Sequence, residues 1–353
     1  MKIFKILFLL LTCNIALYGI PKAPCDAKYD VCCQESNDNF AFSYTNDLGL
    51  ACPRDFYIFG EALLMQPYEE GLEFTISNAG GFMFFPLIDP KIEGFTTGSH
   101  TKDWDLGFRF GIGFYLEHDN WNLDVQWTHL HSNIDKSVSV TGSTILLPLW
   151  FAPTLGFCQQ ASARWKTDLN TLDLSLGKPF HISRYFIANP YFGIRGAWID
   201  QNYKARYGGT FDKASMTAKN NFWGLGTKTG FDGDFLLGSH IKIFGKVATS
   251  LLWSKFNVDQ STEPDDVINI AFDLNNEFYS TATNAEMALG IAWGTLFDKD
   301  QYHIDLRLAY EFHKWFEQNR LRRFLNSSIV TNTERSKSDL IFEGFSLRVQ
   351  FDF

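Results

Sequence analysis

From Trp104 to Glu117 the chain alternates without a break. Trp104, Leu106, Phe108, Phe110, Ile112, Phe114 and Leu116 hold one parity, while Asp105, Gly107, Arg109, Gly111, Gly113, Tyr115 and Glu117 hold the other. Successive side chains of a strand point to opposite faces, so one face is large and apolar and the other small or charged. A helix, with its period of about 3.6 residues, cannot sort these residues. After His118-Asp119 the pattern resumes, with Trp121, Leu123, Val125 and Trp127 against Asn122, Asp124, Gln126 and Thr128. It returns down the chain and closes with Phe345, Leu347, Val349, Phe351 and Phe353 against Ser346, Arg348, Gln350 and Asp352.

A soluble sandwich also alternates, so further features must decide. Many of these segments run to 12 or more residues, where soluble strands average about 5–6 and membrane strands need about 9–11. Trp and Tyr mark segment ends at Trp104, Trp121, Trp127, Trp198, Trp253, Trp293 and Tyr302, as in the aromatic girdles of membrane barrels. Connections alternate in length: His118-Asp119, Pro179–Arg184, Asp234–Leu236 and Asp298–Lys299 are short, while 67–102, 133–161, 204–217, 255–280 and 315–336 are long. The pattern predicts an all-β transmembrane up-and-down antiparallel β-barrel with short periplasmic turns and long extracellular loops. Ten strands are expected, near 55–66, 103–117, 119–132, 162–178, 185–203, 218–234, 237–254, 281–297, 300–314 and 337–353; twelve result if 67–102 and 133–161 hide another hairpin.

Composition agrees. Aromatics reach 16%, yet the mean hydropathy of -0.13 is too polar for a bundle of membrane helices. A formal charge of -9 argues against a nucleic-acid partner, which needs a basic face. Residues 1–19 have the layout of a cleaved signal peptide, with Lys2 and Lys5 ahead of the apolar stretch Ile6–Leu11. The expected organisation is therefore 1–19 signal peptide, 20–54 Cys-bearing periplasmic segment and 55–353 barrel, in a bacterial outer membrane. Cys25, Cys32, Cys33, Cys52 and Cys158 remain after cleavage. They are disulfide candidates, and their odd number implies a free thiol or a bridge to another chain. Zinc is disfavoured by their spacing.

The hydrophilic parity supplies a candidate pore lining: Asp105, Arg109, Asp124, Arg195, Lys228, Lys242, Lys246, Glu286, Asp305, Arg307, Glu311 and Arg348. In lipid a midplane cation costs about 2–4 kcal/mol; in a wet or paired interior it does not. Two interiors fit, a narrow water path with mild ion selectivity or a salt-bridged plug. Interior glycines such as Gly107, Gly111, Gly113 and Gly193 point to the first. No metal, cofactor or catalytic motif is found. His129, His131 and Ser132 lie near the outer end of a strand, but no spacing fixes a triad. Arg320, Arg322 and Arg323 form a basic cluster suited to lipopolysaccharide phosphates or to the counter-charge of a constricting loop.

Several short stretches carry a family likeness: Cys52-Pro53-Arg54-Asp55-Phe56-Tyr57-Ile58-Phe59-Gly60-Glu61, Trp104-Asp105-Leu106-Gly107-Phe108-Arg109, His118-Asp119-Asn120-Trp121 and Asn189-Pro190-Tyr191-Phe192-Gly193-Ile194-Arg195. With Tyr310-Glu311 before Trp315, and Gly344-Phe345 before the final Phe353, the chain resembles over about 52–353 the pore-forming major outer membrane protein family of Legionella, also found in chlamydia-like bacteria. The resemblance implies a porin, sometimes disulfide-linked to its neighbours. Phe353, ending a phased strand, resembles the signal read by the barrel insertion machinery. The expected function is passive diffusion of ions and small hydrophilic solutes, without enzymatic activity. The expected partners are outer-membrane lipid, lipopolysaccharide and that machinery, with a homo-oligomer or disulfide-linked neighbours. The alternatives are a non-conducting structural or adhesive barrel cross-linked by disulfides, a secreted soluble carbohydrate-binding sandwich, and an outer-membrane enzyme.

Overall fold

A computed structural model describes residues 56–80, 89–95, 104–116, 121–150, 158–208, 213–238, 240–264, 273–298, 301–324, 333–335 and 337–353. The signal and leader segments, with Cys25, Cys32, Cys33 and Cys52, lie outside the described residues.

Ten long strands build the wall: β1 (Phe56–Glu69), β2 (Asp105–Leu116), β3 (Trp121–Ser139), β4 (Gln160–Gly177), β5 (Phe186–Gly208), β6 (Lys213–Leu236), β7 (Ile241–Pro264), β8 (Asp273–Phe297), β9 (Tyr302–Trp315) and β10 (Leu340–Asp352). Each pairs antiparallel with its sequence neighbours, and β10 returns to β1 in the register Tyr57↔Asp352 to Glu69↔Leu340. The sheet is therefore closed, and closure leaves no unpaired wall edge, as a hydrocarbon surround demands. A two-residue strand, Phe180–His181, adds to the end of β5.

The faces follow the sequence pattern. Leu106 is 73% exposed and Leu289 66%, with Phe110, Phe192, Ile194, Leu225, Val247, Leu251, Ile291 and Leu347 also on the outside. Aromatics bound this band. Trp198 and Trp223 are cross-strand partners, Trp223 meets Trp253 edge-on at 5.6 Å, and Trp253 stacks on Tyr279 at 5.2 Å. At the short-turn end Tyr302 meets Phe353 edge-on, and Phe56 stacks on Phe353 at 4.8 Å.

Two expectations about the connections change. The stretches 204–217 and 255–280 are mostly strand rather than loop, because β5–β6 and β7–β8 continue well past the aromatic band. There the polarity inverts: Tyr203, Ala205, Tyr207, Met216, Phe256 and Val258 are buried inside, while Lys204, Arg206, Lys219, Lys255 and Asp259 take the outer parity. In water a barrel must hide its apolar side chains within; in lipid it may show them. Second, among the described residues the long stretches 67–102 and 133–161 add no further wall strands. Their described parts form a separate three-stranded sheet, Thr75–Asn78 pairing with Lys91–Glu93 and with Ile145–Pro148.

That small sheet packs against the inward side chains of the wall. Leu72, Phe74, Phe95, Leu146 and Trp150 belong to one buried cluster with Leu130, Ile134, Trp165, Ile199, Tyr203, Met216, Phe222 and Phe256. Phe95 lies 5.7 Å from Trp165, and Trp150 lies 5.1 Å from Tyr203, ring centre to ring centre. The long-loop end of the barrel thus holds an apolar core made mostly by the wall and completed by the inserted loops.

Candidate functional site

The interior has three levels. The uppermost is the loop plug, held by polar contacts at its edges. Tyr203 and Tyr207 donate their hydroxyls to Leu72 O (3.3 Å) and Phe74 O (2.7 Å), and Trp150 Nε1 donates to Glu73 O at 2.8 Å. The last long loop latches onto it: Arg323 pairs with the Glu73 carboxylate and Gly71 O, and Asn319 donates to Glu70 O at 3.0 Å. Burial pushes the Glu73 carboxyl up, but the Arg323 guanidinium outweighs it and holds the group below the usual carboxylate range. Arg320 sits over the Phe256 ring at 5.0 Å and pairs with Glu317 at 3.1 Å, while the Arg322 backbone exchanges hydrogen bonds with Gln260. Of the two roles expected for this cluster, the counter-charge of an inward loop matches these contacts.

Beneath the plug lies a buried ionic layer. Arg195, 2% exposed, grips Asp173 through Nε (2.7 Å) and Nη2 (2.6 Å); its Nη1 reaches Glu286, Asn284 (2.7 Å) and Ser250 (3.1 Å). Lys228 bridges Asp173 (2.7 Å) and Glu286 (3.3 Å). Arg109 pairs with Glu61 (2.7 Å) and Glu311 (3.1 Å). His313 links the two halves, at 2.8 Å from Glu311 and 3.6 Å from Glu286. Removing charges from water is costly unless each is paired and its remaining hydrogen-bonding groups are met. This network meets that condition by sharing Asp173, Glu286 and Glu311 each between at least two cationic or imidazole side chains, while Glu61 pairs with Arg109. A cavity of about 10 Å³ among Arg109, Thr128, Arg195, Glu286 and His313 has room for about one water.

The lowest level is a vestibule of about 200 Å³ reaching the short-turn end, lined by Tyr57, Tyr115, Asn189, Tyr191 and many charges. Asp305 accepts from Lys242 and Arg307, both at 2.8 Å. Asp352 accepts from Tyr115 (3.1 Å) and Gln350 (2.8 Å) and faces His303 Nδ1 at 2.7 Å. Asp124, Asp232, Asp234, Lys246 and Arg348 also line it, with Lys228 at its border with the ionic layer and Arg348 3.6 Å from the centre of the Phe59 ring.

The candidate lining residues therefore sort by height. Arg109, Arg195, Lys228, Glu286 and Glu311 join in the ionic layer, together with Glu61, Asp173 and His313. Asp124, Lys242, Lys246, Asp305, Arg307 and Arg348 face the vestibule, while Asp105 shares the inward parity of Arg109 near the other end of β2. His313 escaped sequence reasoning, although its inward parity beside Glu311 was the available signal. The interior glycines do not open a path. An added Cβ at Gly111 would sit 2.4 Å from the Phe59 ring, and one at Gly113 would sit 2.1 Å from the Tyr57 ring. Aromatic side chains of β1 occupy that space. Nor does a triad assemble: Ser132 is buried on the inward parity, whereas His131 is on the outer parity, 2.5 Å from Asp168. Cys158 is a buried thiol donating to Leu146 O at 3.6 Å, and burial pushes it up to about 12.

A closed antiparallel barrel with an apolar outer band, aromatic girdles and a charged interior defines a class, the outer-membrane β-barrel proteins. Within that class the chain matches, over residues 52–353, the model of the family Legionella pneumophila major outer membrane protein precursor, and it belongs to that family. No curated protein matches it. Among solved structures it is similar to the outer membrane protease OmpT from Escherichia coli (9% identity, 88% of this chain and 99% of that one, TM-score 0.42). It is also similar to a FadL homologue of Pseudomonas aeruginosa (6%, 85% and 90%, 0.27) and to the Pseudomonas putida toluene transporter TodX (8%, 86% and 90%, 0.28).

Proposed function

We propose that the protein is a porin-like channel for passive diffusion of ions and small hydrophilic solutes, closed at rest by its inward-folded loops. The observation that carries this reading is the plug's own sheet: Thr75–Asn78, Lys91–Glu93 and Ile145–Pro148 form a sheet separate from the wall. The plug is held by side-chain contacts such as Arg323 with Glu73 and by one backbone bond at the strand end, Glu69 N to Phe95 O, so its displacement would leave the barrel ladder intact. Displacement would bare the ionic layer around Arg195 and Arg109 to the outside, and a path to the charged vestibule below then opens where water enters that layer. No step of this function requires a catalytic group.

The test is planar-bilayer recording of the refolded protein beside Arg323→Ala. Wild type should show brief, voltage-dependent steps, and the variant should raise the open fraction about tenfold. Silence from both at every voltage refutes the channel. A second reading, a non-conducting structural barrel, is favoured by the burial of the paired ionic layer around Arg195. It predicts silence together with reducing-agent-sensitive multimers linked through Cys25, Cys32, Cys33 or Cys52.

A further inference from the structure

The vestibule holds charges that its own walls do not match. Of the cations and carboxylates lining it, Lys242, Arg307, Asp305 and Asp234 pair among themselves, and Lys228 is taken up by the ionic layer. Asp124, Asp232, Lys246 and Arg348 have no ion-pair partner among the described residues. Yet all four line the same cavity of about 200 Å³, from four different strands, β3, β6, β7 and β10. Asp232 and Lys246 are direct cross-strand partners. Even so, Lys246 lies over the Tyr191 ring at 5.6 Å and one Asp232 oxygen is buried without a hydrogen bond. Arg348 spends one nitrogen on Gln350 at 2.7 Å and leaves Nε unpartnered.

Charges held out of bulk water gain from a counter-charge at short range. The four side chains left without an ion-pair partner, two carboxylates and two cations, sum to no net charge. A simple anion would gain from Lys246 and Arg348 but meet Asp124 and Asp232; a simple cation would meet the reverse. A solute with both charges on one small body, and none in sum, satisfies both pairs. We infer that the vestibule is a binding site for a small zwitterion of the α-amino-acid type, its carboxylate taken by Lys246 and Arg348 and its ammonium by Asp124 and Asp232. The site lies below the plug and does not depend on conduction.

The experiment is isothermal titration of the detergent-refolded protein with glycine, acetate and methylamine. Glycine should bind saturably, and acetate and methylamine each at least tenfold more weakly. Lys246→Met and Asp232→Asn should each weaken glycine at least tenfold, with Asp124→Asn as the second carboxylate variant. Lys219→Met, on the outer parity, should change nothing. Retained heat-modifiable migration on gels shows which variants are folded. The inference falls if acetate or methylamine matches glycine, if folded variants bind glycine as wild type does, or if wild type binds none of the three. A barrel that binds glycine but stays silent in bilayers keeps this inference and loses the channel; one that conducts without binding does the opposite.

Discussion

Replacing Arg195 by Met separates a dry lumen from a wet one. Arg195 carries the densest contacts of the ionic layer: two bonds to Asp173 at 2.7 and 2.6 Å, one to Asn284 at 2.7 Å, one to Ser250 at 3.1 Å and a pairing with Glu286. Met keeps much of the volume and removes the charge. Asp173 and Glu286 are then left to share Lys228, at 2.7 and 3.3 Å. Removing one partner of a buried pair costs about 3–5 kcal/mol, because the other charge stays behind uncompensated. A pair bathed in water is worth about 0–1 kcal/mol. The two interiors therefore differ by about 2–5 kcal/mol, roughly 1.4 to 3.6 powers of ten in the folding equilibrium at about 1.4 kcal/mol per tenfold. Urea unfolding from lipid vesicles, followed by tryptophan emission, reads the difference as a shift in midpoint at constant slope. Adding Asp173→Asn to Arg195→Met should recover about 1–3 kcal/mol, since neighbours in one network couple. A loss below about 1 kcal/mol for the single variant would refute the buried layer and with it the closed lumen.

Three further outcomes follow from the same contacts. The folded-state Glu73 carboxyl is held low against its unfolded value, so its latch with Arg323 stabilises the plug at neutral pH and is lost as pH falls through that lowered value; open probability in bilayers should rise on acidification, and Arg323→Met should flatten the response. Gly113→Ala places a methyl against the Tyr57 ring and should cost about 1–3 kcal/mol by overpacking, read by the same urea midpoint. Cys158, with its thiol raised to about 12, should resist iodoacetamide at pH 8 in the folded barrel and react once unfolded, as mass spectrometry of the alkylated protein would show; rapid labelling of the folded form would refute its burial.

The wall was legible because lipid imposes one rule on every strand it touches. Phe108, Ile194, Leu225 and Leu308 obey it, and all ten strands appear near their expected places. Strand ends were missed where that rule lapses. Past Trp198 the outward side chains become Asp200, Asn202, Lys204 and Arg206, and the apolar set moves inside to Ile199, Tyr203 and Tyr207. The alternation persists with its sense reversed, a signal present in the sequence but easily taken for the start of a loop. The plug was less accessible. Phe74, Phe95, Leu146 and Trp150 lie in short stretches with no long period, and their burial depends on wall residues distant in the chain, such as Tyr203 and Tyr207. The ionic layer was visible as residues but not as partners, because pairing such as Glu61 with Arg109 and Glu311 is set by register around a closed ring.

The reversal of polarity along β5–β8 works as a waterline. Sinking the barrel by a few residues would drag Lys204, Arg206, Lys219 and Lys255 into hydrocarbon, where a cation costs about 2–4 kcal/mol at the midplane; raising it would strip lipid from Leu225, Leu251 and Ile194. The molecule can float at one height only. Its tall hairpins then stand clear of the membrane on one flank, while β1, β9 and β10 end close to its surface.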